Sequence, residues 1–124
     1  MAFVTTKFDG AVSYKISFNS QTTNAVTSNL TDGPGRLVSV KIANSNNAAV
    51  FVKLYNSVTA TSGSTNPDWI FSCPAASTYT FEIPNGVAFT ALSAAATENA
   101  TPADNTTPSV SGQEAIAVTI VTEH

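Results

Sequence analysis

Two apolar runs flank a polar quartet between residues 36 and 55. In each run the apolar residues stand two apart. Successive side chains of a strand point to opposite faces, so this spacing predicts two strands, each with one apolar and one solvated face. The quartet Asn44–Asn47 is typical of a turn, because asparagine tolerates positive φ and bonds its own backbone. Since β-branched residues and a period of two disfavour a helix, we predict a β-hairpin. Its apolar face holds Val38, Val40, Ile42, Val50, Val52 and Leu54.

The composition also favours strands and turns over helices. The chain has 124 residues, the size of one domain, and includes 14 Ser, 18 Thr and 11 Asn, which suit strands and turns. Charged residues make up only 10%, against roughly 25% in an average globular protein. A surface with so few charges favours a protein that hides part of that surface in an assembly.

Further alternating segments follow along the chain. Residues 84–86 predict a tight turn, and residues 32–35 are the strongest breaker in the sequence. This breaker divides an extended N-terminal arm with edge strands, residues 1–35, from a sandwich, residues 36–124. We therefore expect an all-β fold, an antiparallel β-sandwich of about eight strands. The other predicted strands cover residues 11–18, 69–71, 77–83, 87–97 and 115–122. The predicted core comprises the six residues of the hairpin's apolar face together with Phe81, Phe89, Val118 and Ile120.

Charge and hydropathy exclude several classes of partner. The net charge is −3 and the pI is about 4.7, so no basic stripe is present for nucleic acid or an anionic membrane. No run approaches the roughly 18 apolar residues of a membrane span. The first ten residues lack the apolar core of a signal peptide. We expect a chain that is made in the cytoplasm.

Residues that could perform catalysis form no recognisable pattern. Cys73 and His124 are the one cysteine and the one histidine, but His124 is the last residue, where chains fray. Cys73 is therefore expected to be a small buried hydrophobe. We expect no enzymatic activity, no cofactor and no metal site. The carboxylates are scattered along the chain, at Asp9, Asp32, Asp68, Glu82, Glu98, Asp104, Glu114 and Glu123.

Two weaker binding hypotheses stay open. A loop that contains Asp104 and Glu114 offers oxygen ligands of the kind that calcium takes. Trp69, Tyr55 and Tyr79 would suit a sugar if they formed one exposed aromatic platform, although such residues more often belong to a core or an interface.

Several segments together resemble a known family. They are Asn-Ala-Ala-Val-Phe-Val-Lys-Leu-Tyr at residues 47–55, Pro-Asn-Gly-Val-Ala-Phe at residues 84–89 and Ala-Leu-Ser-Ala-Ala-Ala-Thr at residues 91–97. In this order, with a closing strand, they resemble small virion proteins of tailed bacteriophages. The resemblance covers about residues 36–122 and rests on strand and turn patterns. It implies a jelly-roll-like sandwich and a role as a capsid decoration, or cement, protein.

The resemblance also implies partners. A decoration protein of this kind would form a homotrimer at local three-fold points of the virion surface and bind the major capsid protein. The arm, residues 1–35, would add strands to a neighbouring subunit or to the capsid. The alternative is a module on a phage tail or a cell surface that binds carbohydrate or a host surface, which requires an exposed Trp69. The candidate interface residues are Phe3, Val4, Phe8, Tyr14, Phe18 and Trp69.

Overall fold

All regular structure in the described part of the chain is β. The computed structural model describes residues 3–7, 14–19, 30–31, 33–61, 64–101 and 116–123, the first two ranges as backbone only. These residues include no helix, and therefore none that could span a membrane. The strands are β1 (Phe3–Lys7), β2 (Tyr14–Asn19), β3 (Gly35–Asn44), β4 (Val50–Tyr55), β5 (Trp69–Cys73), β6 (Ser77–Phe89), β7 (Ser93–Thr97) and β8 (Ile116–Glu123).

The strands form two antiparallel sheets that pack as a sandwich. One sheet has the order β1-β2-β8-β3-β6, and the other has the order β5-β4-β7. All of the strand pairs are antiparallel. Both sheets contribute to one continuous apolar core, in which β3 and β8 meet β4 and β7. The prediction of an all-β chain with two antiparallel sheets is therefore confirmed.

The predicted core is correct except near Val38. Val40, Ile42, Val50, Val52, Leu54, Phe89, Val118 and Ile120 are all buried there, and Phe81 packs against them while half-buried. Val38 lies outside the core, and its neighbour Leu37 is fully buried instead. The register of β3 shifts between Leu37 and Ser39, and a slip of one residue moves a side chain to the other face.

The predicted hairpin between residues 36 and 55 is wrong. Its strands exist, but β3 pairs with β6 and β8, whereas β4 pairs with β5 and β7 in the other sheet. Residues 45–49 therefore form an arch that carries the chain from one sheet to the other. Alternation predicts which face of a strand is buried. It does not predict whether the next strand pairs beside it in the same sheet or packs across the core in the other sheet, because the same face is buried in both cases.

The predicted turn at residues 84–86 does not reverse the chain. Strand β6 continues through it and pairs with β3 on both sides. Asn85 and Gly86 have φ values of 67° and 68°, so the expected positive φ is present, but in a bulge. The predicted strand at residues 87–97 is also interrupted, because β6 ends at Phe89 and β7 begins at Ser93 in the other sheet.

The second face of β4 was predicted to be solvated, but it is buried. Lys53 and Tyr55 lie on that face and are fully buried. Tyr55 packs with Ala60 and Ala95, and Nζ of Lys53 donates a hydrogen bond to the Thr101 carbonyl oxygen at 2.7 Å. Strand β4 is central in its sheet and is covered on both faces.

The N-terminal strands extend the larger sheet beyond β8. Strand β2 pairs with β8, and β1 pairs with β2 at the edge. The backbone N–H of Leu30 donates to the Leu92 carbonyl oxygen at 2.7 Å, which joins this residue to the sandwich. Most of residues 1–35 lie outside the described ranges, so the predicted arm stays a prediction.

Candidate functional site

The edges of β5 and β6 leave one side of the sandwich only partly covered. Phe71 opposes Val52 in the β4–β5 register, and Phe81 opposes Val40 in the β3–β6 register. Each aromatic residue therefore lies on the core face of its sheet, but at the margin of the core. We call this surface the open side. It consists of Trp69, Phe71, Tyr79, Phe81, Ile83 and Val87.

The side chains of the open side pack on one another and on the core. The rings of Phe71 and Phe81 have centroids 5.1 Å apart at an angle of 56°, and those of Tyr79 and Phe81 are 6.3 Å apart at 59°. Such tilted contacts are favourable for aromatic pairs. Tyr79 nevertheless keeps 46% of its surface exposed, and the other members are half-buried. The open side therefore offers apolar contact to a partner.

Two arches hold one end of the open side in place. Nδ2 of Asn44 donates to the carbonyl oxygens of Ala48, Cys73 and Pro74, at 2.9, 3.2 and 3.1 Å. The backbone N–H of Ala76 donates to the Asn46 carbonyl oxygen at 3.0 Å. These bonds join the arch at residues 45–49 to the arch at residues 74–76, which connects β5 to β6. The start of β6 is thus fixed relative to both sheets.

An arginine fixes the bulge at the other end of the open side. Nε of Arg36 donates to the Asn85 carbonyl oxygen at 2.8 Å. A Cβ on Gly86 would lie 3.1 Å from Cβ of Arg36 and 3.2 Å from the Leu37 carbonyl oxygen, so β3 passes close to this glycine. The bulge therefore requires glycine both for its positive φ and for the close approach.

Cys73 is a buried structural residue, as predicted. It is fully buried, and its thiol donates toward the Ser77 carbonyl oxygen at 3.3 Å. Burial raises the pKa of the Cys73 thiol and outweighs the backbone hydrogen bonds from Tyr79 and Asn44, which lower it. The thiol is therefore protonated at neutral pH and is not an activated nucleophile. His124, the one histidine, lies outside the described residues.

Among the predicted interface residues, those that the structure describes lie in three different strands. Trp69 belongs to the open side and is half-buried. Phe3 and Val4 lie in β1, and Tyr14 and Phe18 lie in β2, so they occupy the opposite margin of the larger sheet from β6. Phe8 lies outside the described ranges. The contacts expected of these residues stay a prediction.

The two weaker hypotheses fare differently. Tyr55 lies on the opposite face of its sheet from Trp69, and it is fully buried, so the three-residue aromatic platform is wrong. Asp104 and Glu114 lie outside the described residues, and the calcium hypothesis stays open. In the part of the chain that is described, no group of three or more His, Cys, Asp or Glu could hold a metal ion.

A shallow depression lies beside the arches and has a volume of about 400 Å³. Its lining is neutral and consists mainly of small side chains. Ser45, Ser77 and Thr78 contribute hydroxyl groups, without a neighbouring base in the lining. Ala43, Thr78 and Ala117 are paired with one another in the register, so the depression lies on the outer face of the larger sheet, opposite to the core. The lining residues are Ala43, Asn44, Ser45, Ala76, Ser77, Thr78 and Ala117.

Phe81, which was predicted to be a core residue, and Ile83 both lie at the margin of the core. Their alternation correctly gave the face, and it contains no information on whether a strand is central or at an edge.

Comparisons with known proteins add no relative, because no protein-family model matches this chain and no curated protein or solved structure is significantly similar to it.

Proposed function

We propose that this protein is a structural virion protein that decorates and stabilises a bacteriophage capsid. The observation that carries the proposal is the open side, where aromatic side chains at the margin of the core are left half-covered. Large apolar patches on a rigid protein are typical of surfaces that bind other proteins. The resemblance of residues 47–55 and 84–97 to small phage virion proteins gives the partner its identity.

The energetics of the open side suit such a role. An exposed share of 46% leaves roughly 100 Å² of Tyr79 in contact with water, and covering it would contribute about 2 kcal/mol. The neighbouring half-buried side chains would add to this. A decoration protein needs contact of this kind, which is available without any chemical step.

In the proposal the fold is of the jelly-roll type and three copies form a homotrimer at a local three-fold point. The arm, residues 1–35, reaches a neighbouring subunit or the major capsid protein. Strand β1 lies at an edge of the larger sheet, and an edge strand is the element to which another chain can add a strand.

The experiment is to purify virions from the phage-producing culture and locate this chain on them. We expect an antibody raised against the recombinant protein to label the head surface in electron micrographs. We also expect the recombinant protein to sediment with heads from which it has been removed. Label on the tail alone, or binding to immobilised host glycans with quenching of Trp69 fluorescence, would replace the proposal with the binding-module alternative.

A further inference from the structure

Strand β6 forms the longest sheet edge among the described strands. It has 13 residues and pairs on one side with β3, at the end of the larger sheet. Natural proteins protect such edges with short strands, charges, prolines and bulges. Pro84 and the bulge at Asn85 and Gly86 protect its second half. The first half, Ser77–Ile83, contains Glu82 as its one charged residue.

The edges of the smaller sheet are less available for strand pairing. Strand β7 is at the end of the smaller sheet, but all of its residues are buried. Strand β5 is an edge of five residues. In β6, by contrast, Thr78, Tyr79, Thr80 and Glu82 are all exposed. The first half of β6 is therefore an edge to which another chain can add a strand.

We propose that a second copy of this chain pairs with Tyr79–Ile83 in an antiparallel manner, about a two-fold axis at Phe81. Phe81 then faces Phe81 of the second copy, Tyr79 faces Ile83, and Thr80 faces Glu82. The inference deepens the proposed function, on which its biological purpose rests, because it names how neighbouring copies join.

The apolar face of β6 is complementary to itself in this register. The open sides of the two copies become continuous, and the exposed ring of Tyr79 is covered by Ile83 of the second copy. Cross-strand contacts between aromatic and β-branched residues stabilise antiparallel pairs. Because of the two-fold symmetry, the contact between Tyr79 and Ile83 occurs twice.

The charged face is complementary as well, which selects a second copy as the occupant. Lys41 opposes Thr80 within one chain, and Glu82 of the second copy faces Thr80 from the other side. Neighbouring strands lie about 4.8 Å apart, so the Cα atoms of Lys41 and the second Glu82 lie roughly 10 Å apart. Both side chains are exposed and long enough to meet across Thr80. The proposed register places the two Glu82 residues diagonally and not directly opposite each other, and the lysine of each copy offsets their repulsion.

The first test is the molar mass in solution, measured by light scattering on a size-exclusion column. We expect the wild-type chain to have at least twice the molar mass of Tyr79→Lys, which places an ammonium group in the joined apolar face. Val58→Lys is the matched control, because Val58 is 52% exposed in the loop after β4, and it should keep the wild-type mass. Equal masses for wild type and a folded Tyr79→Lys would overturn the proposal.

The second test is a charge exchange. Lys41→Glu and Glu82→Lys should each raise the dissociation constant of the pair roughly tenfold, because both symmetric ion pairs become repulsive. The double variant should recover wild-type affinity. Double and single variants that are equally weak would contradict the register. Neither test requires a capsid, so a correct dimer with no capsid binding would refute the proposed function alone.

Discussion

At the scale of single residues, Asn44 decides how the two central strands are connected. Its side chain is nearly fully buried and bonds carbonyl oxygens of both arches. Its Oδ1 also accepts a hydrogen bond from the backbone N–H of Asn46 at 3.0 Å. If residues 45–49 formed a hairpin turn, the Asn44 amide would not donate to the carbonyl oxygens of Cys73 and Pro74.

Asn44→Asp should therefore destabilise the fold. The substitution replaces a donor with a carboxylate oxygen that faces carbonyl oxygens, and we expect the free energy of unfolding to fall by about 2–3 kcal/mol. Urea unfolding measures this. Asn47→Asp, at an exposed position of the same loop, is the control and should change stability by less than about 0.5 kcal/mol. Equal effects would show that the Asn44 bonds do not hold the arches.

Cys73 should make stability depend on alkaline pH. Its pKa is raised by burial in the folded chain, so the folded state keeps the proton at pH values where the unfolded state has lost it. The stabilisation is complete below the unfolded pKa, about 8.5, and declines above it by up to about 1.4 kcal/mol per pH unit until the folded pKa is reached. Urea unfolding between pH 7 and 10 tests this against Cys73→Val. A difference between the two chains that is constant across this range would contradict the shift.

At the scale of strands, the sequence predicts where strands lie better than it predicts which strands pair. The period of two correctly placed Val40, Ile42, Val50 and Val52 on core faces. It could not distinguish a hairpin from an arch, because both bury the same faces. It also could not foresee the register shift at Val38, which depends on how β6 bulges opposite β3.

The candidate site was less predictable for the same physical reason. Phe81 was predicted to be a core residue, and only the order of strands in each sheet shows that β5 and β6 are edges. Strand β4 is the converse case. Its lysine suggested a solvated face, and its central position buried that face instead.

The central position of β4 leads to a prediction for Lys53. Truncation by Lys53→Ala removes buried methylene groups and the hydrogen bond to Thr101, so we expect a loss of about 2–4 kcal/mol of unfolding free energy. Lys41→Ala is the matched control, since Lys41 is exposed on β3, and it should have little effect on the stability of the single chain. Similar midpoints in urea for the two variants would show that Lys53 is not part of the fold's interior.

At the scale of the whole molecule, the protein is a β-sandwich, and we propose that its surfaces bind further copies of the chain. Low charge and a half-covered aromatic margin suit a protein that is stored in an assembly. β1 and β6 are the two edges of the larger sheet, and in the proposals they make different contacts. A three-fold contact through the arm and a two-fold contact through β6 would together link copies into a layer.

Removal of residues 1–29 tests the first of these contacts. We retain Leu30, because it is buried in the core. The truncated chain should stay folded, with the circular dichroism of a β protein, and should lose capsid binding or the trimer. If the truncated chain is unfolded, the N-terminal segment is an integral part of the sandwich and not an arm.

The most direct measurement of self-association through β6 is amide hydrogen exchange at several protein concentrations. If a second copy pairs with this edge, alternate amides of Tyr79–Ile83 should exchange more slowly as the concentration rises through the dissociation constant. Amides of residues 56–61 should not change and serve as the internal reference. Exchange in Tyr79–Ile83 that is independent of concentration, while the chain is associated, would contradict the account.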